Sequence, residues 1–427
     1  MTSSLRTSPD QEKNAFYVGL LDRCVSAVVD AVGEKNIRAI LMIGAPARSE
    51  VTVTGTPKGL FSLSDIDLVC ACREAADAQD LRGRLRDTVA ALNRELVDRC
   101  AGVDVTMKTE QQLASPRPLI SSYEMVRSPV VIWGDEKTAS TLGDVDIADI
   151  PKSESLVLIH NRVLEELLHR PRNTDADLKL MASLFSLYAT AKLVLDAITA
   201  HLFIRNSVPT GFRDRVGYFL DDVLMRPESS GIKKALDPYL EELPAWAEFK
   251  TTGDLGPIAA RLGESAIPEA LDRLAMQSWS RYVAYAEVFW RSILGDVVRT
   301  DLTNLRIESV ARVYQRVESF PRSVVRTRRR VIGGRAPSGL FSRPGALLRS
   351  RFGSPKLLSY LITVLVYLSY SREADWDRID RLIRIYCPFE LPGGFRELSK
   401  DEKRAVLVDR IALMHRTVLL GRKDEET

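Results

Sequence analysis

The stretch IGAPARSEVTVTGTPKGLFSLSDIDLVCA, residues 43–71, decides the fold of this chain. An apolar run at residues 37–43 has the pattern of a buried strand, and Gly44 follows it as a turn residue. At the end of the stretch, apolar side chains alternate with Asp65 and Asp67, which predicts a second strand. Residues two apart on a strand project from the same face, so the two carboxylates are neighbours.

Two carboxylates this close need a positive partner, because they repel each other strongly in a partly dry site. Divalent cations remove that repulsion, and Mg²⁺ prefers oxygen ligands, keeps some waters and accepts a nucleotide's phosphates. Asp104 lies in a short predicted strand at residues 103–107, with its apolar neighbours directed to the opposite face. If this strand lies beside that of Asp65 and Asp67, the three carboxylates form a two-metal site.

These residues occur in the order of a known signature: a Gly-Ser turn, an Asp-x-Asp strand and a later strand with a third Asp. The matching residues are Gly44, Ser64-Asp65-Ile66-Asp67-Leu68, Asp104 and, after the turn, Ala47-Arg48-Ser49-Glu50. On these motifs, the first third of the chain resembles the polymerase-beta-like nucleotidyltransferase superfamily.

The resemblance implies an N-terminal nucleotidyltransferase-type mixed sheet with helices and a Mg²⁺ (or Mn²⁺) cofactor. It implies transfer of a nucleoside monophosphate from an NTP, with ATP as the first candidate, to a hydroxyl or phosphate acceptor whose identity stays open. In the implied catalytic roles, Asp65 and Asp67 bind both metals, and Asp104 completes the metal on the nucleophile side.

The resemblance also indicates nucleotide-binding residues: Gly44, Ala45, Arg48, Ser49, Ser64 and Lys192. Ala45 occupies the position of the family's phosphate-binding serine, so that contact either comes from backbone N–H groups, Ser49 or Ser64, or is absent. The interval from Gly44 to Asp65 is longer than is usual in the family and indicates an inserted loop, from which Lys58 could reach the triphosphate. Lys192 is predicted to lie on a helix, where it either contacts the nucleotide phosphates or forms a surface pair with Asp196.

Helical periodicity dominates beyond Pro151, where the strand signals thin out. Before it, residues 16–32 and 81–97 have helical periodicity beside three predicted strands. The predicted fold class is therefore α+β, with a mainly α-helical C-terminal region. The predicted domains are a nucleotidyltransferase catalytic domain (1–150), a helical domain covering the cleft (151–300) and a helical C-terminal region with an Arg-rich loop (301–427).

The composition is that of a folded globular protein, because 45% of the 427 residues are hydrophobic and 27% are charged. The net charge of +3 is too small to indicate a nucleic-acid partner by itself. The five cysteines form no CxxC pair, so reduced structural thiols are expected. The N-terminus lacks the apolar core of a signal peptide, and the apolar run at residues 357–370 is too short to span a bilayer, so a cytoplasmic protein without a transmembrane segment is expected.

A basic segment extends from Arg322 to Lys356 within a longer region that has no acidic residue between Glu318 and Glu373. Such a segment binds anions readily, which indicates RNA, an acidic lipid surface or a phosphorylated acceptor as a partner. The competing interpretation is a solvated loop. The segment also supports the alternative function, in which a catalytically degenerate transferase fold binds nucleic acid or an anionic surface.

Overall fold

A computed structural model of the chain describes residues 5–73, 78–171, 176–227, 230–317, 355–371, 375–387 and 391–414. The chain divides into two compact units. The sheet unit consists of Met1–Glu154, Leu202–Arg226 and Tyr239–Leu274, and the helical unit consists of Ser155–His201, Pro227–Pro238 and Ala275–Thr427. The sequence predicts three consecutive domains, whereas two segments beyond residue 151 here belong to the sheet unit. The α+β class is confirmed, with a four-stranded mixed sheet and mostly helical content.

The strands are β1 (Ile37–Met42), β2 (Val53–Thr56), β3 (Gly59–Ser62), β4 (Ile66–Cys72), β5 (Val103–Thr109) and β6 (Val130–Gly134). The α-helices of the described residues are α1 (Gln11–Val32), α2 (Ala78–Glu95), α3 (Glu110–Ala114), α4 (Ile120–Arg127), α5 (Lys152–Leu168), α6 (Ala176–Ile204), α7 (Phe212–Leu224), α8 (Gly231–Leu236), α9 (Leu243–Thr252), α10 (Gly256–Arg261), α11 (Leu271–Val298), α12 (Ile307–Tyr314), α13 (Pro355–Leu368), α14 (Trp376–Tyr386) and α15 (Lys400–Met414).

The main sheet has the strand order β5-β4-β1-β6. Strand β1 pairs antiparallel with β4 and with β6, whereas β4 and β5 run parallel. The three strands predicted from the sequence are confirmed as β1, β4 and β5. A parallel pair needs a long crossover connection, and α2 supplies it between β4 and β5.

The two faces of the main sheet pack against different partners. On one face, Ile40 of β1 and Leu68 of β4 join side chains of α1 and α2 in the larger hydrophobic core. On the other face, Leu41 and Val69 form a smaller cluster with Leu113 of α3 and Met125 of α4. Successive strand residues point to opposite faces, and this alternation places Asp65 and Asp67 on the side of the smaller cluster.

The predicted inserted loop between Gly44 and Asp65 contains a β-hairpin, in which β2 and β3 pair antiparallel. Lys58 lies in its two-residue turn and forms an ion pair with Asp98 at 3.0 Å, with both side chains exposed. Exposed pairs of this kind contribute little to stability, so the ammonium of Lys58 is held only weakly in this place.

The helical unit is built around large aromatic side chains, among them Tyr285 and Trp290, which are fully buried. One helix of the described residues, at Lys179–Ile204, is long and apolar enough to cross a membrane, although 89% of its most apolar window is buried inside the protein. A buried core helix passes the same test, so this helix is weak evidence for a membrane span. Of the basic segment from Arg322 to Lys356, all but the first two residues of α13 lies outside the described residues.

Candidate active site

Two acidic residues lie side by side where β4 meets β5. Asp67 on β4 is the register partner of Asp104 on β5, and the two strands are parallel. Neighbouring strands are about 4.8 Å apart, and register partners project from the same face. Ile66 and Val103, the preceding pair, are buried in the larger core, so Asp67 and Asp104 project from the opposite face. The two strands are adjacent, which is the condition on which the expected meeting of the carboxylates depends.

Asp65 lies immediately before β4, and its carbonyl oxygen accepts a hydrogen bond from the hydroxyl of Tyr17 at 3.2 Å. A glycine lies close to the carboxylate of Asp65 and another lies close to that of Asp67. A β-carbon at Gly102 would lie 3.4 Å from Oδ1 of Asp65, and one at Gly44 would lie 3.6 Å from Oδ2 of Asp67. A glycine backbone therefore lies close to each of the two carboxylates.

The turn after β1 brings backbone amides close to Asp67. Gly44 has a φ of 74°, in the left-handed region that favours glycine. The N–H of Ile43 donates to the carbonyl of Asp67 at 3.2 Å and so ties the turn to β4. Among the described residues, no backbone carbonyl accepts from the amides of Gly44 or Ala45. Amides in such a turn can donate to an anion, and this is how backbone nests bind phosphate.

Arg48 is a buried member of an ion-pair network, with a side chain that is only 6% exposed. Its guanidinium pairs with Glu50 and with Glu124 of α4, each at 2.9 Å. Arg215 of α7 also pairs with Glu124, at 2.7 Å, and Glu50 accepts from the N–H of Phe212 at 2.6 Å. These contacts give Arg48 a structural role, because they attach the turn after β1 to α4 and α7.

The hydroxyls of the two predicted serine ligands, Ser49 and Ser64, form hydrogen bonds with other residues of the chain. Ser49 adopts a left-handed backbone with a φ of 61°, and its hydroxyl donates to the carbonyl of Arg6. Ser64 is buried, and its hydroxyl accepts from the N–H of Thr52 at 2.9 Å. Of the two, only Ser49 lies in the turn that adjoins Asp67.

Lys250 is the residue near this site that the sequence analysis missed. It lies on α9, and its Nζ is 3.4 Å from the hydroxyl of Ser64, although 186 residues separate the two along the chain. The signal that could have found it is the composition of α9, which has apolar residues around its whole circumference. Such a helix is expected to be buried, together with its lysine.

Lys192, by contrast, belongs to the helical unit and lies on α6. It pairs with Glu165 of α5 at 2.7 Å, and Arg162 pairs with Asp196 at 2.8 Å. Burial alone would raise the pKa of Glu165, but the charges of Lys192 and Arg162 outweigh it and lower that pKa to about 2. Arg162 also pairs with Glu165, so Lys192 and Asp196 belong to one cluster of two cations and two carboxylates.

The donor atoms beside the sheet suit a hard cation such as Mg²⁺, which is commonly bound through one or two carboxylates together with waters and substrate phosphates. Asp104 is exposed, whereas Asp65 and Asp67 are half-buried. In the part of the chain that the structure describes, no group of three or more His, Cys, Asp or Glu is arranged to hold a metal ion. The protein alone therefore presents an incomplete ligand set, which phosphates and waters would have to complete.

The carboxylate of Asp65 also affects a neighbouring thiol. Burial raises the pKa of Cys100 to about 11, and the negative charge of Asp65 adds to this increase. Cys100 is therefore a neutral thiol at neutral pH, which agrees with the expected structural role of the cysteines.

No protein-family model, no curated protein and no solved structure matches this chain.

Proposed function

We propose that this protein is a metal-dependent nucleotidyltransferase, which transfers a nucleoside monophosphate from an NTP to a hydroxyl or phosphate acceptor and releases pyrophosphate. The observation that carries the proposal is the register pairing of Asp67 with Asp104 on parallel strands, next to the glycine turn after β1. Carboxylates beside the backbone amides of a glycine turn offer binding positions for a divalent cation and for the phosphates it carries.

Mg²⁺ or Mn²⁺ would be held by Asp67 and Asp104, with Asp65 as the third carboxylate. When bound, such an ion neutralises the charge that develops on the transferred phosphoryl group. The chain's own residues bind and orient the reactants. The amides of Gly44 and Ala45 would donate to the triphosphate, and a carboxylate oxygen of Asp104, the most exposed of the three, would accept the proton of the acceptor.

Calorimetric titration of each NTP, with and without Mg²⁺ or Mn²⁺, tests the proposal. We expect metal-dependent binding of one NTP by the wild type and its loss in the double variant Asp65→Asn/Asp67→Asn. The chain contains a matched control, because Asp144 and Asp146 have the same spacing in the sheet unit but lie outside its strands. Asp146 caps a short helical turn, and asparagine caps about as well as aspartate, so Asp144→Asn/Asp146→Asn should bind NTP normally.

Equal loss of binding in both double variants would show that the effect is unspecific. If the wild type binds no NTP under any of these conditions, the proposal is refuted. The alternative, a degenerate transferase fold that binds a polyanion, would then be tested by salt-dependent binding of RNA and of anionic vesicles.

A further inference from the structure

A buried lysine, Lys250, lies next to the residues that precede β4. Lys250 is only 3% exposed, and lysine is almost never so buried unless its charge is paired or hydrogen-bonded. Its Nζ lies 3.3 Å from the hydroxyl of Thr52 and 3.4 Å from that of Ser64. It also lies 5.6 Å from the ring centroid of Phe212, within the range of a cation–π interaction. The proposed chemistry assigns no role to this charge.

The hydroxyl of Ser64 is the centre of the network that Lys250 joins. It accepts from the N–H of Thr52 and from the ammonium of Lys250, while the hydroxyl of Thr52 donates to the carbonyl of Lys250 at 2.5 Å. The carbonyl of Ser64, which belongs to the peptide group leading into Asp65, accepts from the hydroxyl of Ser62 at 2.8 Å. Both the side chain and the carbonyl of the residue before Asp65 are therefore fixed.

The end of α9 is attached firmly enough to hold Lys250 in place. Gly253 follows the helix with a φ of 75°, and a β-carbon there would lie 2.1 Å from the carbonyl oxygen of Val53 on β2. On the other side, Nζ of Lys13 donates to the carbonyl of Thr252 at 2.6 Å. The helix end thus packs directly on the backbone that continues from Thr52.

We infer that Lys250 is a positioning residue of the candidate active site. It holds Ser64 in place, and Ser64 in turn fixes the backbone that places the carboxylate of Asp65 beside that of Asp67. Hydrogen bonds to a charged group are roughly twice as strong as neutral ones, so the ammonium fixes the two hydroxyls better than a neutral side chain would. A fixed carboxylate needs no reorganisation when its ligand binds. The catalytic consequence of this inference rests on the proposed function, whereas its structural consequence does not.

The test compares Lys250→Met with the conservative Lys250→Arg and with Lys35→Met, which removes an exposed lysine of the same unit. Amide hydrogen exchange of the peptide that contains residues 61–68 measures the local structure, and kcat and KM for NTP turnover measure the function. Lys250→Met leaves two buried hydroxyls without their charged donor. We therefore expect exchange to be about tenfold faster, kcat about tenfold lower and KM changed by less than about twofold.

Lys250→Arg should recover part of both losses, and Lys35→Met should behave as the wild type. Unchanged exchange at residues 61–68 in folded Lys250→Met would overturn the inference. So would a change in KM with kcat preserved, because that would assign Lys250 to substrate binding. If Lys250→Met does not fold, Thr52→Val removes one of the two hydroxyls without touching the charge, and the same exchange measurement decides.

The two proposals fail in different ways. If the wild type neither binds nor turns over any NTP, the proposed function is wrong, but faster exchange in Lys250→Met would still support the positioning role. If NTP turnover exists and neither Lys250→Met nor Thr52→Val alters exchange or kcat, only the positioning role is wrong.

Discussion

Replacing Glu166 on α5 by glutamine should remove a pH-dependent loss of stability from the helical unit. Glu166 is 0% exposed, and neither of its carboxyl oxygens has a hydrogen-bond partner among the described residues. The nearby hydroxyl of Thr190 donates to the carbonyl of Ser186 instead, at 3.1 Å. Burial, assisted by the neighbouring carboxylate of Glu165, raises the pKa of Glu166 to about 8.

The sign and size of the effect follow from this pKa. Below the ordinary pKa of 4.5, Glu166 is protonated in both the folded and the unfolded chain, and pH has no effect through it. Between 4.5 and about 8, only the unfolded chain releases the proton, so the free energy of unfolding falls by about 1.4 kcal/mol per pH unit, on the order of 5 kcal/mol in all. Above pH 8 both states are ionised, and the loss stays constant.

Urea unfolding of the whole chain at a series of pH values from 5 to 9 measures this dependence. The quantity of interest is the difference between wild type and Glu166→Gln, because other titrating groups contribute equally to both and cancel. Hydrogen exchange in α5 identifies the transition that belongs to the helical unit, since a chain of two units need not unfold in one step. The control is Glu397→Gln, which changes an exposed glutamate of the same unit.

We expect Glu166→Gln to gain stability relative to the wild type as the pH rises from 5 to 8, and Glu397→Gln to show no such trend. Glutamine has its own cost of burial, which shifts the whole curve but does not change with pH in this range. Parallel curves for wild type and Glu166→Gln would refute the reasoning, because they would show that Glu166 keeps its ordinary ionisation in the folded protein.

Three further predictions concern other parts of the chain. Asp67→Asn should abolish nucleotidyl transfer and leave the thermal unfolding midpoint unchanged; near-normal turnover in this variant would show that the site is wrongly assigned. Gly253→Ala should lower the free energy of unfolding by several kcal/mol, because the new β-carbon would lie 2.1 Å from a backbone oxygen. Gly263 has a similar positive φ but no atom near the position of a β-carbon, so Gly263→Ala should lower it by about 1 kcal/mol. Equal unfolding midpoints for these two variants would contradict the close approach. Lys192→Met should destabilise the helical unit by about 1–2 kcal/mol, because it leaves the partly buried Glu165 with one cation fewer. Unchanged urea unfolding would show that Arg162 suffices.

Local patterns in the sequence predict the strands that carry the acidic residues, because each has a buried face with period two. They predict the hairpin of β2 and β3 poorly. Its strands are four residues each, and Gly55, Pro57 and Gly59 read as turn residues, so the segment resembles an inserted loop. The helices α7 and α9 return to the sheet unit through contacts between residues that are distant in sequence. Examples are the N–H of Phe212 with Glu50 and the hydroxyl of Thr52 with the carbonyl of Lys250, and local patterns give no sign of them.

The two lysines show why the site is harder to predict than the fold. Lys192 looks like a ligand because its helix follows the acidic motif, and in the structure it forms an ion pair with Glu165. Local sequence gives no means of pairing residues on α5 with residues on α6. Lys250 looks like an ordinary surface residue until its helix is considered as a whole. The segment LPAWAEFKTT buries seven of its ten residues and leaves only the side of Pro244 and Glu248 partly exposed. Lys250 lies on the buried side, so it must bring its charge into the interior and must find acceptors there. The burial of an ionisable residue within a mostly apolar helix is therefore a better indication of a structured polar site than its distance in sequence from the acidic motif.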